Sequence, residues 1–555
     1  MLTPSAPASS SDVPADVPQP TRSFAPTPIV WRAAIIAGVL VLGGLAYATH
    51  GFLGPRGQAA FGVLCFLGLA AAFSKNLRAV NWKTIGWGIA LQIFLALAVT
   101  TTNPFVPLPG KGVEVVEVPV SGPTAVQWYF VSLAVQTLFF VALAGVSAVR
   151  RFALKKTDEP PRLPFIWAGL AVVWLVLGAA FPGWVPSAFK LVGEGIGTLV
   201  ACSDKGAEFV FGDLSKVDGK AGFVFAFKAL PPIIFVSAFF SVLYYFGVLQ
   251  FVVKIFAKAM MFLMGTSGAE TLSVSANVFM GQTEAPLIVK PFVPRMTESE
   301  LFTLMASGMA HISGGMMAVY ISYGADPVSI LCTCVMACPC SLYLAKLVLP
   351  ELAHPVTAGD ASIKVEKNAV NPIDAAATGI KDGLFLALNV AAMLIGFLAF
   401  IALFDAIFGA IKPAVVGWGW ATADQLAWWP DGLGLKNLFG SAFSPVAFLM
   451  GVEPNESYQV GQLLGTKLAA NEHVAYLDLK GLKTNGRISD RAHKLAVYAL
   501  TGFANFSSIG IQLGGIGAMA PERRKDLARL GLRALFVGFV VTLINAAVAG
   551  VLLGG

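Results

Sequence analysis

Asn277-Val-Phe-Met-Gly281-Gln282-Thr283-Glu284-Ala-Pro286 sets an amide, a hydroxyl and a carboxylate side by side between a glycine and a proline, in a chain dominated by membrane-length apolar runs. A carboxylate at membrane depth costs about 2.5–3.5 kcal/mol on insertion scales, so it persists only where it is paired or hydrated. Gly281 and Pro286 interrupt helical hydrogen bonding. Freed backbone is tolerated in a membrane only where protein buries it or it lines a cavity. Polar residues on a broken intramembrane helix point to a solute-binding site. The stretch reads as part of a transporter.

The rest of the chain agrees. Its 555 residues are 56% hydrophobic and 12% charged, with a mean hydropathy of +0.73. That composition excludes an ordinary soluble enzyme and indicates an all-α polytopic membrane protein. Runs long enough to cross recur near 30–48, 57–73, 84–102, 126–149, 165–183, 223–250, 300–322, 328–348, 380–404, 492–516 and 528–553, about eleven in all. Two broken segments remain, near 268–290 and 443–476.

The net charge of +7 is explained by basic cytoplasmic loops rather than by nucleic acid, which is not expected as a partner. Lys75, Arg78 and Lys83 follow the second span, Arg150, Arg151, Lys155, Lys156 and Arg162 the fourth, and Arg523, Arg524 and Lys525 the tenth. All three loops are cytoplasmic if the N-terminus is cytoplasmic and the C-terminus external. The loop 103–125, with no Arg and one Lys, then lies outside. A multi-pass protein of the plasma membrane, or of the inner membrane in a bacterium, surrounded by lipid, is expected. Residues 1–29 are rich in Pro, Ser and Ala and carry no basic start, apolar core and cleavage site. They read as a disordered cytoplasmic tail.

Cys332, Cys334, Cys338 and Cys340 form a Cys-x-Cys-x3-Cys-x-Cys run. On a helix each residue turns about 100° around the axis, so Cys334 and Cys338 share a face while the other two point elsewhere. Four thiolates cannot then meet on one zinc, and small packing residues are the better reading. No organic cofactor is expected, and no metal beyond a sodium site.

The segment 465–476, Gly-Thr-Lys-Leu-Ala-Ala-Asn-Glu-His-Val-Ala-Tyr, again sets a carboxylate, Glu472, beside an amide, Asn471. Each broken segment is followed by a polar-centred span, Ser307 to Tyr323 after the first and Thr501 to Gly510 after the second. Three spans separate the two hairpins, so the second enters from the opposite face. This is an inverted repeat with a site at the midplane. The organisation expected is a tail at 1–29, N-terminal helices at 30–102, an inserted helix pair at 103–190, a first half at 191–410 and a second at 411–555.

Gly281-Gln282-Thr283-Glu284-Ala285-Pro286, the pattern at 465–476 and Gly502-Phe503-Ala504-Asn505-Phe506-Ser507-Ser508 resemble the signatures of the concentrative nucleoside transporter family. The likeness runs from about Ala59 to the C-terminus and includes Asn81-Trp82 and the stretch Phe225 to Tyr245. It implies a homotrimer whose protomers each carry a path for a nucleoside. It implies Glu472, Asn505 and Ser508 at the ribose, Phe503 packing on sugar or base, Gln282, Thr283 and Glu284 at the base edge, and Met316 beside the base. Chemically, a carboxylate can accept from two neighbouring hydroxyls. A Lys467 pairing with Glu472 would instead make that carboxylate structural.

The resemblance also implies a cation site of Asn277, a small hydroxyl residue, and backbone oxygens near Met280 and Ile312. His311 stands where the hydroxyl belongs. Na⁺ prefers hard oxygen ligands, and an imidazole can itself take a proton near neutral pH. Either His311 points away and water fills the sodium site, or coupling has passed to protons, the reading slightly preferred here. His473 is a smaller departure, replacing a Phe. The function expected is a cation-coupled nucleoside importer, with proton or sodium as the coupling ion. Transport of a nucleobase or another small polar solute is the first alternative. An intramembrane metalloenzyme lacks a compact motif such as His-Glu-x2-His. A channel would use a symmetric ring rather than two hairpin carboxylates.

Overall fold

The computed structural model describes residues 24–100, 123–149, 163–216, 224–359, 369–422 and 434–553, with positions 17–19, 21, 222 and 424–425 besides. Among them the secondary structure is helical, without strands. The chain opens with α1 (Ile29–Ala72), α2 (Trp82–Thr100), α3 (Pro123–Ala148), α4 (Leu163–Ala180), α5 (Trp184–Phe211), α6 (Phe225–Lys228), α7 (Pro231–Tyr245) and α8 (Val248–Met264). Its centre holds α9 (Gly268–Ala276), a 3-10 segment Ala285–Arg295, α10 (Glu298–Ala310), α11 (Gly314–Ser322), α12 (Pro327–Val348) and α13 (Pro372–Gly417). The last part is α14 (Leu435–Leu449), α15 (Pro454–Ala469), α16 (Glu472–Thr484), α17 (Asp490–Leu500), α18 (Phe506–Met519) and α19 (Arg524–Leu552).

Nine described helical runs are long and apolar enough to cross a membrane, or ten if the bent pair α14–α15 counts as one span. The spans read from sequence differ in how they are cut. As one straight helix, α1 would be about 66 Å long, roughly twice a hydrocarbon core. Gly54, at φ +63°, and Pro55 interrupt it, which restores the two expected spans. The expected span 492–516 is divided into α17 and α18 by the irregular stretch 501–505. Some helices fall outside the expected spans: α8 lies almost wholly beyond 223–250, and α5 buries a stripe of Gly193, Ile196, Ser203 and Ala207. The stripe has helical spacing, but the charges between its members break the apolar run.

The disordered tail expected at 1–29 needs correction at its end. Thr21 N donates to Leu352 O and Thr27 N to Lys75 O, both at 2.9 Å, and Thr27 Oγ1 accepts from Leu77 N at 2.9 Å. A low-hydrophobicity composition does not reveal such backbone partners. Residues 1–16 lie outside the described residues, as do the loop 103–122 and the basic loop 150–162.

The second hairpin begins at a corner. α14 and α15 meet at 117°, with Gly451 at φ +92° and Pro454 starting α15. Gln58 of α1 holds this corner, its Nε2 donating to Phe448 O and, at 2.8 Å, to Val452 O. At the centre lie α10, α12 and α19, all largely buried. A polar network crosses their apolar contacts. Gln92 Nε2 donates to Asn545 Oδ1 at 2.7 Å, Tyr343 OH to Gln92 Oε1 at 2.8 Å, and Asn545 Nδ2 to Thr333 Oγ1 at 3.2 Å. This ties α2, α12 and α19 together by side chains that are all buried.

Removing one member should strand the others. Asn545→Ala leaves the buried Gln92 Nε2 without its acceptor and takes a donor from Thr333, a loss of about 1–3 kcal/mol. The melting temperature of the purified protein in detergent is expected to fall clearly. An unchanged value would take the network out of the stability of this scaffold.

Candidate solute-binding site

The site is made by two helix breaks. α10 ends at His311, whose backbone is extended at φ −117°, ψ 170°. α11 restarts with Ser313 as its cap, the hydroxyl accepting from Met316 N at 3.4 Å. α17 ends at Leu500, and α18 restarts with Asn505 as cap, Oδ1 accepting from Ser508 N at 2.9 Å. The breaks touch: Phe503 N donates to His311 O at 3.1 Å. Gly314 N donates to Phe279 O at 2.9 Å, joining the tip of the first hairpin to α11. Gly502, at φ +146°, lies so close to Ala310 that a Cβ would come within 3.0 Å of its carbonyl oxygen. Asn505 and Ser508 are thus cap and first turn, not two positions inside one helix.

From these breaks runs a chain of hydrogen bonds. Tyr320 OH donates to Glu472 Oε1 at 2.8 Å, and Asn505 Nδ2 donates to Glu472 Oε2 at 2.9 Å. Glu472 itself occupies the first turn of α16, which Asn471 caps by accepting from Val474 N at 3.0 Å. A carboxylate is favoured at a helix N-terminus. Gln282, on the tip of the first hairpin, donates from Nε2 to Ser508 Oγ at 3.2 Å. Glu284 accepts from Gly281 N at 2.9 Å and so closes its own turn. Thr283 is half-buried on that tip, Met316 is buried in the first turn of α11, and Phe503 is half-buried at the second break.

Lys467 is not the partner of Glu472. Its ammonium donates to Ala499 O at 2.7 Å and to Thr542 Oγ1 at 3.0 Å, which fastens α15 to α17 and α19. His473 turns away from the carboxylate, with Nε2 and Tyr323 OH 2.9 Å apart and its ring against Phe225. Tyr320 and Gln512 were not singled out in the sequence. Each lies four residues beyond a site residue, Met316 and Ser508, and hence on the same helical face.

The candidate cation residues form a second group. Asn277 Nδ2 donates to Ser307 Oγ at 3.0 Å, while its buried Oδ1 has no partner. The buried Ser273 Oγ, one turn earlier on α9, also has none. Among the described residues no hydrogen bond reaches the carbonyls of Met280 or Ile312. The His311 ring is engaged elsewhere: Nδ1 donates to Ser307 O at 2.8 Å, and Nε2 lies 3.5 Å from Cys338 Sγ. Ser307, one turn before His311, is thus the hydroxyl residue found at Asn277. Among the described residues no group of three or more His, Cys, Asp and Glu is placed to hold a metal ion.

Two oppositely inserted hairpins and two broken helices that meet at a polar centre define an inverted-repeat membrane transporter. Profiles of three families match it: Na⁺ dependent nucleoside transporter N-terminus over 61–107, nucleoside recognition over 226–327, and Na⁺ dependent nucleoside transporter C-terminus over 329–550. The chain is 39% identical over 383 residues to a Haemophilus influenzae protein described only as a transporter, covering 68% of this chain and 88% of that one. It is 40% identical over 510 residues to human sodium/nucleoside cotransporter 1, covering 88% of this chain and 63% of the relative. The chain therefore spans a little under two thirds of that mammalian relative. Among solved structures, CNTnw in an inward-facing substrate-bound state matches with a TM-score of 0.66 and 30% identity, covering 89% of this chain and 97% of that one. A CNTnw variant in an outward-facing state gives a TM-score of 0.68 at 30% identity, covering 90% and 98%. The chain belongs to the sodium-dependent, concentrative nucleoside transporter family, whose members are transporters and not enzymes.

Asn505 carries both a helix cap and a bond to the carboxylate. Asn505→Ala should cost about 0.5–2 kcal/mol through the lost cap alone, read as a lower melting temperature in detergent. Asn505→Asp keeps the cap acceptor but sets a second carboxyl facing Glu472. If Asn505→Ala melts like the wild type, the cap does not hold this break together.

Proposed function

We propose that this protein imports nucleosides in symport with sodium. The carrying observation is that Gln282, Ser508, Asn505 and Glu472, from a hairpin tip, a helix break and a second hairpin, join in one hydrogen-bonded line. A nucleoside needs that mixture: acceptors for two ribose hydroxyls, and donors and acceptors for a base edge. Glu472 has about four lone-pair sites, and the protein donates to it twice. Two sites are left for vicinal hydroxyls. Asn505 and Ser508 would hold the rest of the sugar, Phe503 and Met316 its apolar faces, and Gln282, Thr283 and Glu284 the base edge.

For the coupling ion, sodium is favoured over the proton. Asn277 Oδ1 is a buried hard oxygen without a partner, and the Ser307 hydroxyl stands beside that amide. Met280 and Ile312 would add backbone oxygens. His311 is bonded to Ser307 O and lies against Cys338, so its ring does not need to enter the cation position. This orientation supports sodium, where residue type alone slightly preferred protons. Family likeness and loop charge further support a homotrimer in the plasma membrane with a cytoplasmic N-terminus and an external C-terminus.

Two experiments test this reading. Glu472→Gln should weaken uridine binding by about ten- to a hundredfold, the loss of a charge-assisted bond worth roughly 1.5–3 kcal/mol. Unchanged binding by the purified variant would remove Glu472 from the site. Uptake with sodium and pH varied independently should show a saturable sodium requirement, and Asn277→Ala should raise the half-saturating sodium concentration. Uptake that persists in choline and follows an inward proton gradient would overturn sodium coupling.

A further inference from the structure

Gln512, on the same face of α18 as Ser508, is fully buried and touches the base-facing residue directly. Its Nε2 donates to Met305 O at 2.9 Å and to Gln282 Oε1 at 3.2 Å. The room for this contact comes from Gly308 of α10. A Cβ there would come within 2.8 Å of Gln512 Nε2 and 3.0 Å of Gln282 Cβ. Two helices and the turn at the hairpin tip therefore meet around two carboxamides, with no side chain of Gly308 between them.

The orientation of both amides follows from one backbone group. Met305 O can only accept, so the Gln512 end that faces it must be the NH₂. The same NH₂ then faces Gln282 and requires Oε1 there. That leaves the Gln282 NH₂ turned toward Ser508, its donor in the 3.2 Å contact. Reversing Gln512 would put its oxygen against Met305 O with no proton between them, in a buried place where an unmet pair costs most. The cost of the arrangement is visible in Gln512 Oε1, which is buried without a partner.

We infer that Gln512 is a positioning residue for nucleoside selection, which locks the Gln282 amide with its N–H donors toward the base. The inference rests on the reading above that Gln282 faces the base. A base with an exocyclic carbonyl at that edge then meets a fixed donor, while one with an exocyclic amino group meets a like donor. Gln512 thereby biases selection toward carbonyl-bearing bases such as those of uridine and inosine over cytidine and adenosine. It touches no substrate and acts only through Gln282.

The test is the KM of all four nucleosides in proteoliposomes for the wild type and for Gln512→Glu, Gln512→Met and Gln282→Leu. As an ionised carboxylate the side chain introduced by Gln512→Glu offers Gln282 acceptors only, so the Gln282 amide turns over and shows its oxygen to the base. The KM ratio of cytidine to uridine, and of adenosine to inosine, should fall about two- to twelvefold, the worth of one neutral hydrogen bond. Gln512→Met frees the amide and should move both ratios the same way by less. If Gln512→Glu does not reach the membrane, Gln512→Met carries the test. Ratios that stay fixed while all four KM values rise together would mean a purely structural role and overturn the inference. So would ratios that move in Gln282→Leu but in neither Gln512 variant, leaving the base-facing reading intact. If Gln282→Leu moves no ratio, Gln282 does not read the base, and the inference falls with that reading.

Discussion

Two helices stop and restart at the centre of this molecule, and the backbone groups freed there must find partners without help from water. Such groups cost several kcal/mol when left unmet in a membrane. Here the breaks satisfy each other. Phe503 N reaches His311 O, Gly314 N reaches Phe279 O, and the side chains of Ser313 and Asn505 take up the first amides of α11 and α18. Gly502 permits the approach because any larger residue would strike Ala310. The polar centre follows from this requirement. Capping side chains must be short and polar, and once placed they still have donors or acceptors to spare. Asn505 shows the economy: its oxygen caps α18 while its nitrogen holds Glu472.

The buried charges divide by role on the same grounds. Lys467 and Glu472 lie only five residues apart on the second hairpin, and a pairing between them would neutralise both. Instead the lysine spends its donors on Ala499 O and Thr542 Oγ1, which secures the hairpin to α17 and α19. The carboxylate keeps neutral partners, Tyr320 and Asn505. A neutral polyol can compete with or add to such bonds far more easily than it could displace an ammonium from an ion pair. Separating the anchor from the acceptor leaves the Glu472 carboxylate with neutral hydrogen-bond partners alone.

Much of this was legible in the residues, for physical reasons that can be named. A carboxylate beside Gly and Pro in an apolar run has few structural explanations, so both hairpins and the polar helices after them stood out. Glu472, Asn505, Ser508 and Gln282 do come together. Other features were hidden. The direction of the His311 ring depends on Ser307 O and Cys338, partners from a backbone turn and another helix that no local pattern specifies. Gln512 and Tyr320 read as isolated polar residues on apolar helices, and only their partners give them meaning. α5 escaped because charges interrupt its apolar stripe, and the anchored stretch before α1 because its bonds are made by backbone and threonine hydroxyls to partners distant in sequence.

The first hairpin tip has a consequence for coupling. Asn277, whose Oδ1 lies buried and unpartnered, and Gln282, which reaches Ser508, stand at the two ends of one short turn. The middle of that turn is pinned by Phe279 O to α11 and its end by Glu284 to Gly281 N. A cation held by Asn277 and the Met280 carbonyl would fix the same backbone that presents the Gln282 amide. Part of the ordering needed to bind a solute would then be complete before the solute arrives. By linkage the solute must strengthen cation binding by the same factor. No long pathway is required, because both ligands act on one element of a few residues. On that reading the short sequence distance between Asn277 and Gln282 would make the ordering of one end of the turn favour the ordering of the other.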